Sequence, residues 1–332
     1  MKIVIMMATY NGEKFIKDQI ESIISQTVSD WVLYINDDGS QDNTISIVEE
    51  YCEKYPEKIV LMKNETDMHG AASNFFELMQ KVPKAEWYAL CDQDDIWYED
   101  RLEKMILAAE SSEHQEYKTL PVIVFGQAEV VDEKLNLICD SLVECIGIDF
   151  SKHVDNLEIG IHTFFNAIHG CTMIYNSILH EKVLKTLSLE LVYEMSYLRG
   201  HDSWLTEVCA WFGKIIYLEQ KVIRYRQHSQ SVTGEGKRIW KSFLEQLVNK
   251  RDKFNKVRAY RVRMIKKIEL FENIFEDELS VQQKEQIERL LSTICHKSRI
   301  YSLCNGWKNG YWGKKGTNPY NIVLFLIRKE PK

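Results

Sequence analysis

The first hundred residues alternate short apolar runs with amphipathic segments, and this alternation narrows the possible folds more than any other feature. The apolar runs lie at 2–7, 31–35, 59–62 and 87–91. The segments between them carry apolar residues at helical spacing, over 13–26, 44–55 and 70–80. Continuous apolar runs are typical of parallel strands buried on both faces. The repeated units therefore predict an α/β fold, with a mostly parallel sheet flanked by helices.

Polar clusters follow three of these predicted strands, at the point where each strand ends. They occupy residues 9–12, 37–40 and 92–95. In open α/β sheets, ligands bind outside the carboxyl ends of the strands. The sequence therefore predicts a binding site where these three clusters meet.

The rest of the chain is less regular up to residue 236 and helical beyond it. Strands are predicted at 122–125, 129–138, 167–175 and 214–226, and helices at 201–211, 250–267 and 282–304. We predict one domain over 1–236 and a basic helical extension over 237–332. The extension carries 22 Lys and Arg against 10 Asp and Glu, whereas the first domain carries 20 against 39. Such a tail can meet an anionic membrane, a polyanion or the acidic body itself.

The eight cysteines contain no CxxC pair and lie mostly in apolar or helical contexts. This distribution favours reduced thiols within the protein core. No signal peptide is recognisable, and no run approaches the ~18 apolar residues of a membrane span. We therefore expect a cytoplasmic protein, with peripheral docking at the inner face of the plasma membrane as an open alternative.

The segment 92–95 holds three carboxylates in four residues, directly after an apolar run. Carboxylates this close repel one another unless a cation is present. Mg²⁺ and Mn²⁺ bind such oxygens together with phosphate oxygens. The alternative is helix capping, because Asp also suits the N-terminus of the helix predicted at 98–109.

Three further groups allow either a chemical or a structural interpretation. The segment 37–40 can accept hydrogen bonds from a nucleobase or ribose, or can form a tight turn. Asp202 can serve as a general base or as an N-cap. Arg224, Arg226 and His228 can bind diphosphate oxygens, or can be ordinary surface charges.

Taken in order, these segments resemble family 2 glycosyltransferases of the GT-A fold. The matching segments read MATYNG (7–12), NDDGSQDNT (36–44), CDQDDIW (91–97), GHDSW (200–204) and RYRQHSQSVTG (224–234). Each is weak alone, but the ordered set over roughly 1–235 is specific. The combination of CDQDDIW, RQH and a Gly followed by Asn-Phe is most similar to bacterial rhamnosyltransferases of polysaccharide assembly.

The resemblance implies roles for individual residues. Those that would bind the nucleotide or the donor sugar are Thr9, Tyr10, Asn11, Glu13, Asp38, Asn74, Asp92, Gln93 and Arg226. Those on the acceptor side are Asn166, Gly170, His201 and Trp204. Asp94, the second Asp of the DXD motif, would bind Mg²⁺ or Mn²⁺ with His228, and Asp95 competes with Asp94 for that role. Asp202 would be the catalytic base of an inverting displacement, although His201 stands where many members have Glu.

The resemblance also implies the reaction and the partners. We expect a hexosyltransferase-type enzyme that moves a sugar, rhamnose by likeness, from a dTDP- or UDP-sugar to a glycan or lipid-linked acceptor. Residues 1–115 would form the nucleotide-binding half and residues 116–236 the acceptor half, with a homodimer as a further expectation. The alternatives are a UDP-hexose or N-acetylhexosamine transferase, a nucleotidyltransferase, or a polyanion-binding protein. The turn ATYNG contains no Lys or Arg that could bind a phosphate, which argues against a nucleotidyltransferase. The acidic first domain would repel nucleic acid, which argues against a polyanion-binding protein.

Overall fold

The computed structural model describes residues 2–64, 67–111, 117–142, 168–188, 192, 200–228, 250–296 and 299–308. The described residues up to 228 belong to one compact unit, and residues 250–308 belong to a second. The predicted division of the first unit into nucleotide and acceptor halves stays a prediction.

The first four strands form the parallel half of the sheet. They are β1 (Ile3–Thr9), β2 (Trp31–Asp37), β3 (Ile59–Lys63) and β4 (Trp87–Cys91). Their order is β3-β2-β1-β4, and every neighbouring pair is parallel. All four lie at the predicted positions because each is a continuous apolar run, and all five residues of β4 are fully buried.

The other half of the sheet mixes strand directions. It contains β5 (Ile96–Trp97), β6 (Val122–Val131), β7 (Leu137–Cys139), β8 (Met173–Asn176) and β9 (Lys214–Arg226). From β4 the order continues β8-β6-β9-β5, and β7 pairs with β6. The long β6–β9 pairing is parallel, whereas β8 runs antiparallel to both β4 and β6. The α/β fold with a mostly parallel sheet flanked by helices is thereby confirmed.

Helices of the first unit connect and cover these strands. They are α1 (Ile16–Ile24), α2 (Thr44–Lys54), α3 (Ala71–Lys81), α4 (Arg101–Glu110), α5 (Ser177–Leu184) and α6 (His201–Phe212). Helix α1 shows the pattern clearly, since Ile16, Ile20 and Ile23 are all fully buried. These apolar stripes join the buried strand residues in one continuous core.

Two details of the first unit differ from the predictions. The strand predicted over 167–175 is a short 3₁₀ turn at Gly170–Thr172 followed by β8. Helix α5 was not predicted, although Asn176 caps it by accepting a hydrogen bond from the Leu179 N–H. A helix of eight residues offers too few turns for its periodicity to stand out from sequence.

The second unit contains α7 (Lys250–Ile274), α8 (Val281–Cys295) and α9 (Arg299–Lys308). The helix predicted over 282–304 is therefore two helices. Ser280 and Gln283 form a capping box that fixes the start of α8. Within the described residues, no helix combines the length and the apolar composition needed to cross a bilayer.

Among the cysteines that the structure describes, exposed Cys304 and disulfide-bonded Cys139 depart from the prediction of reduced core thiols. Cys52, Cys91, Cys171, Cys209, Cys295 and Cys304 are free thiols, most of them at least partly buried. Cys139 is disulfide-bonded, so the expectation of reduced thiols is wrong for this residue.

Candidate functional site

The three polar clusters meet at the carboxyl edge of the parallel half-sheet. Thr9, the last residue of β1, is in register with Asp37, the last residue of β2. On the other side, Met7 of β1 is in register with Cys91 at the end of β4. The predicted convergence of the three strand ends is therefore confirmed.

Gln93 joins the end of β4 to the turn after β1. Its Oε1 accepts a hydrogen bond from the Tyr10 N–H at 2.9 Å, and its Nε2 donates to the Tyr10 carbonyl at 3.0 Å. A Cβ at Gly12 would lie 2.3 Å from Gln93 Oε1, so only glycine permits this approach. Both ends of the Gln93 amide are therefore hydrogen-bonded to the turn. Tyr10 is 54% exposed, so its ring can contact a ligand.

Asn11 and Glu13 tie the first turn to the loop after β2. Asn11 adopts a positive φ of 47°, its N–H donates to Ser40 Oγ, and its Oδ1 accepts from the Gln41 N–H. Glu13 Oε2 accepts two hydrogen bonds from Asn43. Both residues, predicted to bind the donor, thus hold two loops together at the site.

Asp37 and Asp38 have different partners although they are adjacent. Asp37 accepts hydrogen bonds from the Ser40 N–H and hydroxyl and from the Thr9 hydroxyl, all at 2.7–2.8 Å. Residues 37–40 therefore form the tight turn that the sequence allowed as one of two interpretations. The Thr9 hydroxyl is occupied by its hydrogen bond to Asp37.

The Asp38 carboxylate is held by the loop before α3. Oδ1 accepts from Asn64 Nδ2 at 2.6 Å and lies 2.8 Å from His69 Nδ1, and Oδ2 accepts from the Gly70 N–H at 2.6 Å. Asn74, predicted to bind the donor, is instead buried and donates to the Asn36 carbonyl at 2.9 Å. Its amide therefore supports the end of β2, and its contact with the donor stays a prediction.

Burial separates the competing metal ligands Asp94 and Asp95. Asp95 is fully buried, and its Oδ1 accepts a hydrogen bond from the Arg226 N–H at 2.9 Å. Asp94 is partly exposed, and its Oδ2 lies 2.7 Å from His228 Nε2. Asp94 and His228, the pair predicted from the sequence, are therefore adjacent, and Asp94 is the more exposed of the two.

Asp92, Asp95 and Cys171 form a second group of potential metal ligands, with their ligand atoms within 4.8 Å of one another. Burial, followed by the charges of Asp94 and Asp202, raises the pKa of Asp92 to about 7. Burial likewise raises the pKa of Asp95 well above its ordinary value. The loop therefore favours either bound protons or a cation. Carboxylate oxygens and one imidazole suit Mn²⁺, and the oxygens alone suit Mg²⁺.

Arg226, predicted to bind the donor, is buried between α1 and the residue that precedes that helix. Its guanidinium is 3% exposed, donates to Asp18 at 3.0 Å and lies over the Phe15 ring at 4.7 Å. The His228 ring also packs against Phe15, with ring centroids 4.7 Å apart. These contacts anchor the end of β9 beside α1, and a contact of Arg226 with the diphosphate stays a prediction.

Asp202 lies close enough to Asp92 for its charge to raise the pKa of that carboxyl. In the first turn of α6, its Oδ1 accepts from the Ser203 N–H at 2.7 Å and its Oδ2 from the Gly170 N–H at 3.4 Å. A Cβ at Gly170 would come within 3.1 Å of His201 Nε2 and 3.4 Å of the Asp202 Cβ. Glycine at 170 therefore allows the close approach that orients Asp202.

Two residues predicted for the acceptor side are packed away. His201 stacks on Phe75 with centroids 4.0 Å apart, and burial lowers the pKa of its imidazole. Trp204 is fully buried and donates from Nε1 to Thr186 Oγ1 at 3.1 Å. Both side chains pack within the first unit, and their contact with an acceptor stays a prediction. Asn166 lies outside the described residues.

Two residues near the site were not predicted from the sequence. His69 was interpreted as structural or solvated, yet its ring bonds Asp38. Arg101 is fully buried below the acidic loop, with its guanidinium 3.9 Å from the centroid of Trp97. The only sequence signal for Arg101 is a charge at the start of an amphipathic helix, which usually indicates an exposed residue.

Comparisons with known proteins agree with this arrangement. Residues 4–134 match the model of glycosyl transferase family 2. The dTDP-rhamnosyl transferase RfbG of Shigella flexneri is 42% identical over 102 residues, 30% of this chain and 35% of that protein. The UDP-Glc:alpha-D-GlcNAc-diphosphoundecaprenol beta-1,3-glucosyltransferase WfgD of Escherichia coli is 30% identical over 159 residues, 48% of this chain and 57% of that protein. The matches thus span about a third to just over half of these relatives.

The fold also occurs among solved structures. TarS of S. aureus, residues 1–349, superposes with a TM-score of 0.52 at 15% identity, covering 98% of this chain and 80% of that one. Its complex with UDP-GlcNAc gives a TM-score of 0.50 at 14% identity, with 94% and 90% covered. At this identity the likeness concerns the fold alone, and it confirms the GT-A type.

Proposed function

We propose, from the premise that residues 4–134 belong to glycosyl transferase family 2, that this chain is a metal-dependent, inverting glycosyltransferase. It transfers a sugar from a dTDP- or UDP-sugar to an acceptor hydroxyl. The observation that carries the proposal is the position of Asp202 across from the acidic loop 92–95, at the edge where β1, β2 and β4 end. A carboxylate that would serve as general base thus lies near the proposed donor-binding residues.

The nucleoside would bind at the turns after β1 and β2. The exposed Tyr10 ring offers an apolar face for a base. Asp38 Oδ2 accepts one hydrogen bond in this structure, and a carboxylate oxygen can accept two. That remaining position suits an N–H of a base, and Asp92 would accept from a ribose hydroxyl.

The diphosphate would lie over Asp94 and His228, which would together hold Mg²⁺ or Mn²⁺. Such a cation neutralises charge that develops on the leaving diphosphate. The chain's own part is to keep these two ligands 2.7 Å apart. The packing of His228 on Phe15 and the hydrogen bond from Arg226 to Asp95 fix both sides of the pair.

Asp202 would act as the general base. The N–H groups of Ser203 and Gly170 orient its carboxylate. It takes the proton of the acceptor hydroxyl, whose oxygen forms a bond to the anomeric carbon. The bond from that carbon to the diphosphate oxygen breaks on the opposite face, so the nucleoside diphosphate leaves and the configuration inverts.

The donor sugar that we propose is rhamnose. Rhamnose is favoured by the 42% identity to a dTDP-rhamnosyl transferase over part of the chain. Glucose is the alternative favoured by the relative named as a UDP-Glc transferase, and an N-acetylhexosamine stays an alternative from the sequence. The relative whose acceptor name is a diphosphoundecaprenol favours a lipid-linked acceptor in cell-surface polysaccharide synthesis. Membrane docking through the basic segment 237–332 would place the enzyme near it, whereas homodimer formation stays a sequence prediction.

Thermal unfolding with nucleotides tests the donor class first. We expect dTDP or UDP to raise the unfolding temperature when Mn²⁺ or Mg²⁺ is present, and to raise it less in EDTA. A donor-hydrolysis screen over nucleotide sugars then identifies the sugar. Absence of stabilisation by either nucleotide, with or without metal, would contradict the proposal, and salt-sensitive binding to DNA would favour a polyanion-binding protein.

A further inference from the structure

The loop between β3 and α3 holds the Asp38 carboxylate with hydrogen bonds from both of its ends. Asn64, the first residue of the loop, donates from Nδ2 to Asp38 Oδ1 at 2.6 Å and to the Met68 carbonyl at 3.0 Å. Gly70, the last residue, donates from its N–H to Asp38 Oδ2 at 2.6 Å. Gly70 has a φ of 108°, which side chains other than glycine rarely adopt. The direction of its N–H therefore depends on glycine.

His69 adds a side-chain contact to the same carboxylate. Its Nδ1 lies 2.8 Å from Asp38 Oδ1. An ionised carboxylate only accepts hydrogen bonds, so the His69 Nδ1–H is the donor. The His69 side chain is 69% exposed, whereas the Asp38 side chain is 7% exposed. Pairs with such an exposed partner contribute little to the stability of a fold, so the contact acts chiefly on the carboxylate itself.

The two oxygens of the Asp38 carboxylate are unequally occupied as a result. Oδ1 accepts from Asn64 and from His69, which fills the two positions that a carboxylate oxygen usually offers. Within the described part of the chain, Oδ2 accepts from the Gly70 N–H alone, and one position is left. A ligand N–H that reaches Asp38 is consequently directed to Oδ2.

We propose that His69 is a positioning residue for the nucleobase, because it fills Oδ1 and holds the Asp38 carboxylate so that Oδ2 accepts a ring N–H. The inference rests on the nucleoside site proposed above. The N3 atom of uracil and thymine carries a hydrogen, whereas N3 of cytosine is an acceptor that a carboxylate repels. His69 therefore acts through Asp38 to favour uridine and thymidine nucleotides over cytidine nucleotides.

The experiment measures the Kd values of UDP, dTDP and CDP by calorimetry, with the full chain and saturating Mn²⁺. We expect His69→Ala to bind UDP or dTDP about fivefold more weakly, because a hydrogen bond to a charged group is lost. The Kd of CDP should change less, so the preference for UDP or dTDP over CDP should fall by about threefold. The unfolding temperature should stay near that of the wild type, since the lost contact is exposed.

His69→Asn tests whether the donated hydrogen bond is the cause. Its side-chain amide supplies an N–H donor close to the position of the imidazole Nδ1–H. We expect this variant to keep the affinity for UDP or dTDP, and the preference over CDP, within about twofold of the wild type. A loss equal to that of His69→Ala would overturn the inference.

Lys84→Ala is the matched control, because the Lys84–Glu181 pair is also exposed and has the same 2.8 Å separation as the His69–Asp38 pair. It should leave every Kd within about twofold of the wild type. The inference is overturned if His69→Ala binds as Lys84→Ala does, or if it loses affinity equally for all three nucleotides. Failure of His69→Ala to fold, or a wild type without preference over CDP, would also overturn it. A wild type that binds neither UDP nor dTDP removes the proposed nucleoside site itself, which is a distinguishable result.

Discussion

The aspartates at the strand ends differ in how their oxygens are engaged. Asp37 accepts from a turn and a threonine hydroxyl, and buried Asp95 accepts the Arg226 N–H. Asp94 and Asp202 keep partly exposed carboxylates that face the site. Sequence spacing treats Asp94 and Asp95 alike, whereas their burial differs and favours Asp94 as the proposed metal ligand.

Asp202→Asn tests the base directly. The amide has nearly the same shape as the carboxylate but cannot accept the acceptor's proton, so we expect transfer to fall by about 10²-fold or more. Binding of dTDP or UDP with Mn²⁺, measured by calorimetry, should stay within about twofold of the wild type. Near-normal turnover in this variant would show that another group is the base.

Asp94→Asn tests the metal ligand. Loss of one charged oxygen next to His228 should weaken metal-dependent nucleotide binding by about tenfold or more, while binding in EDTA stays the same. Asp140→Asn is the control, because its side chain is 71% exposed and pairs with Lys221. If both variants bind the nucleotide–Mn²⁺ pair equally well, Asp94 does not hold the cation.

At the level of helices and strands, the sequence predicts the elements with a local apolar pattern better than those that depend on tertiary packing. The four parallel strands could be predicted because each is a continuous buried run. The two-residue β5 and the short α5 could not, since their positions depend on pairing with β9 and on a cap from Asn176. The break before α9 was missed because apolar spacing continues across it.

Side-chain direction along a helix separates Asp202 from the neighbouring residues that were predicted for the acceptor side. His201 and Trp204 flank Asp202 in sequence, but helical geometry sends neighbouring side chains to different faces. His201 consequently meets α3 at Phe75, and Trp204 meets Thr186. A sequence motif therefore identifies the segment that forms a site. The direction of each side chain around the helix decides which residues of that segment reach the cleft.

His180 of α5 makes folding stability depend on pH. It stacks on Tyr88 at 3.7 Å, and burial lowers the pKa of its imidazole to about 4. In the unfolded chain the pKa is about 6.5. Because the folded pKa is depressed, the contribution of His180 to stability is fully present above pH ~6.5 and is lost as pH falls through about 4.

His180→Phe keeps a stacking ring and removes the titration. From the two pKa values, we expect the wild type to lose on the order of 3 kcal/mol relative to this variant as pH falls from about 6.5 to about 4. The lost contact to the Tyr175 hydroxyl adds an offset that does not vary with pH. Urea unfolding of both proteins at several pH values provides the difference, and a difference that is constant with pH would contradict the assignment.

At the scale of the whole molecule, the excess of basic residues and the candidate site residues lie in different parts of the chain. The candidate site residues that the structure describes all belong to the first unit, whose sequence is acidic. The basic excess lies in 237–332, of which the structure describes three helices. We infer that donor chemistry and any surface docking are separable functions of one chain.

Hydrogen exchange of the full chain tests this separation. If dTDP or UDP binds with Mn²⁺ as proposed, amides should gain protection at the turns after β1 and β2, in the loop after β4 and at the start of α6. These segments supply Tyr10, Asp38, Asp94 and Asp202, and binding shifts their local opening equilibria. Helix α8 contributes no residue to the proposed site and should exchange at an unchanged rate, since its stability depends on its own capping box and buried face. Protection of α8 equal to that of the loop after β4 would show that the basic extension takes part in donor binding, and the two functions would then have to be treated as one.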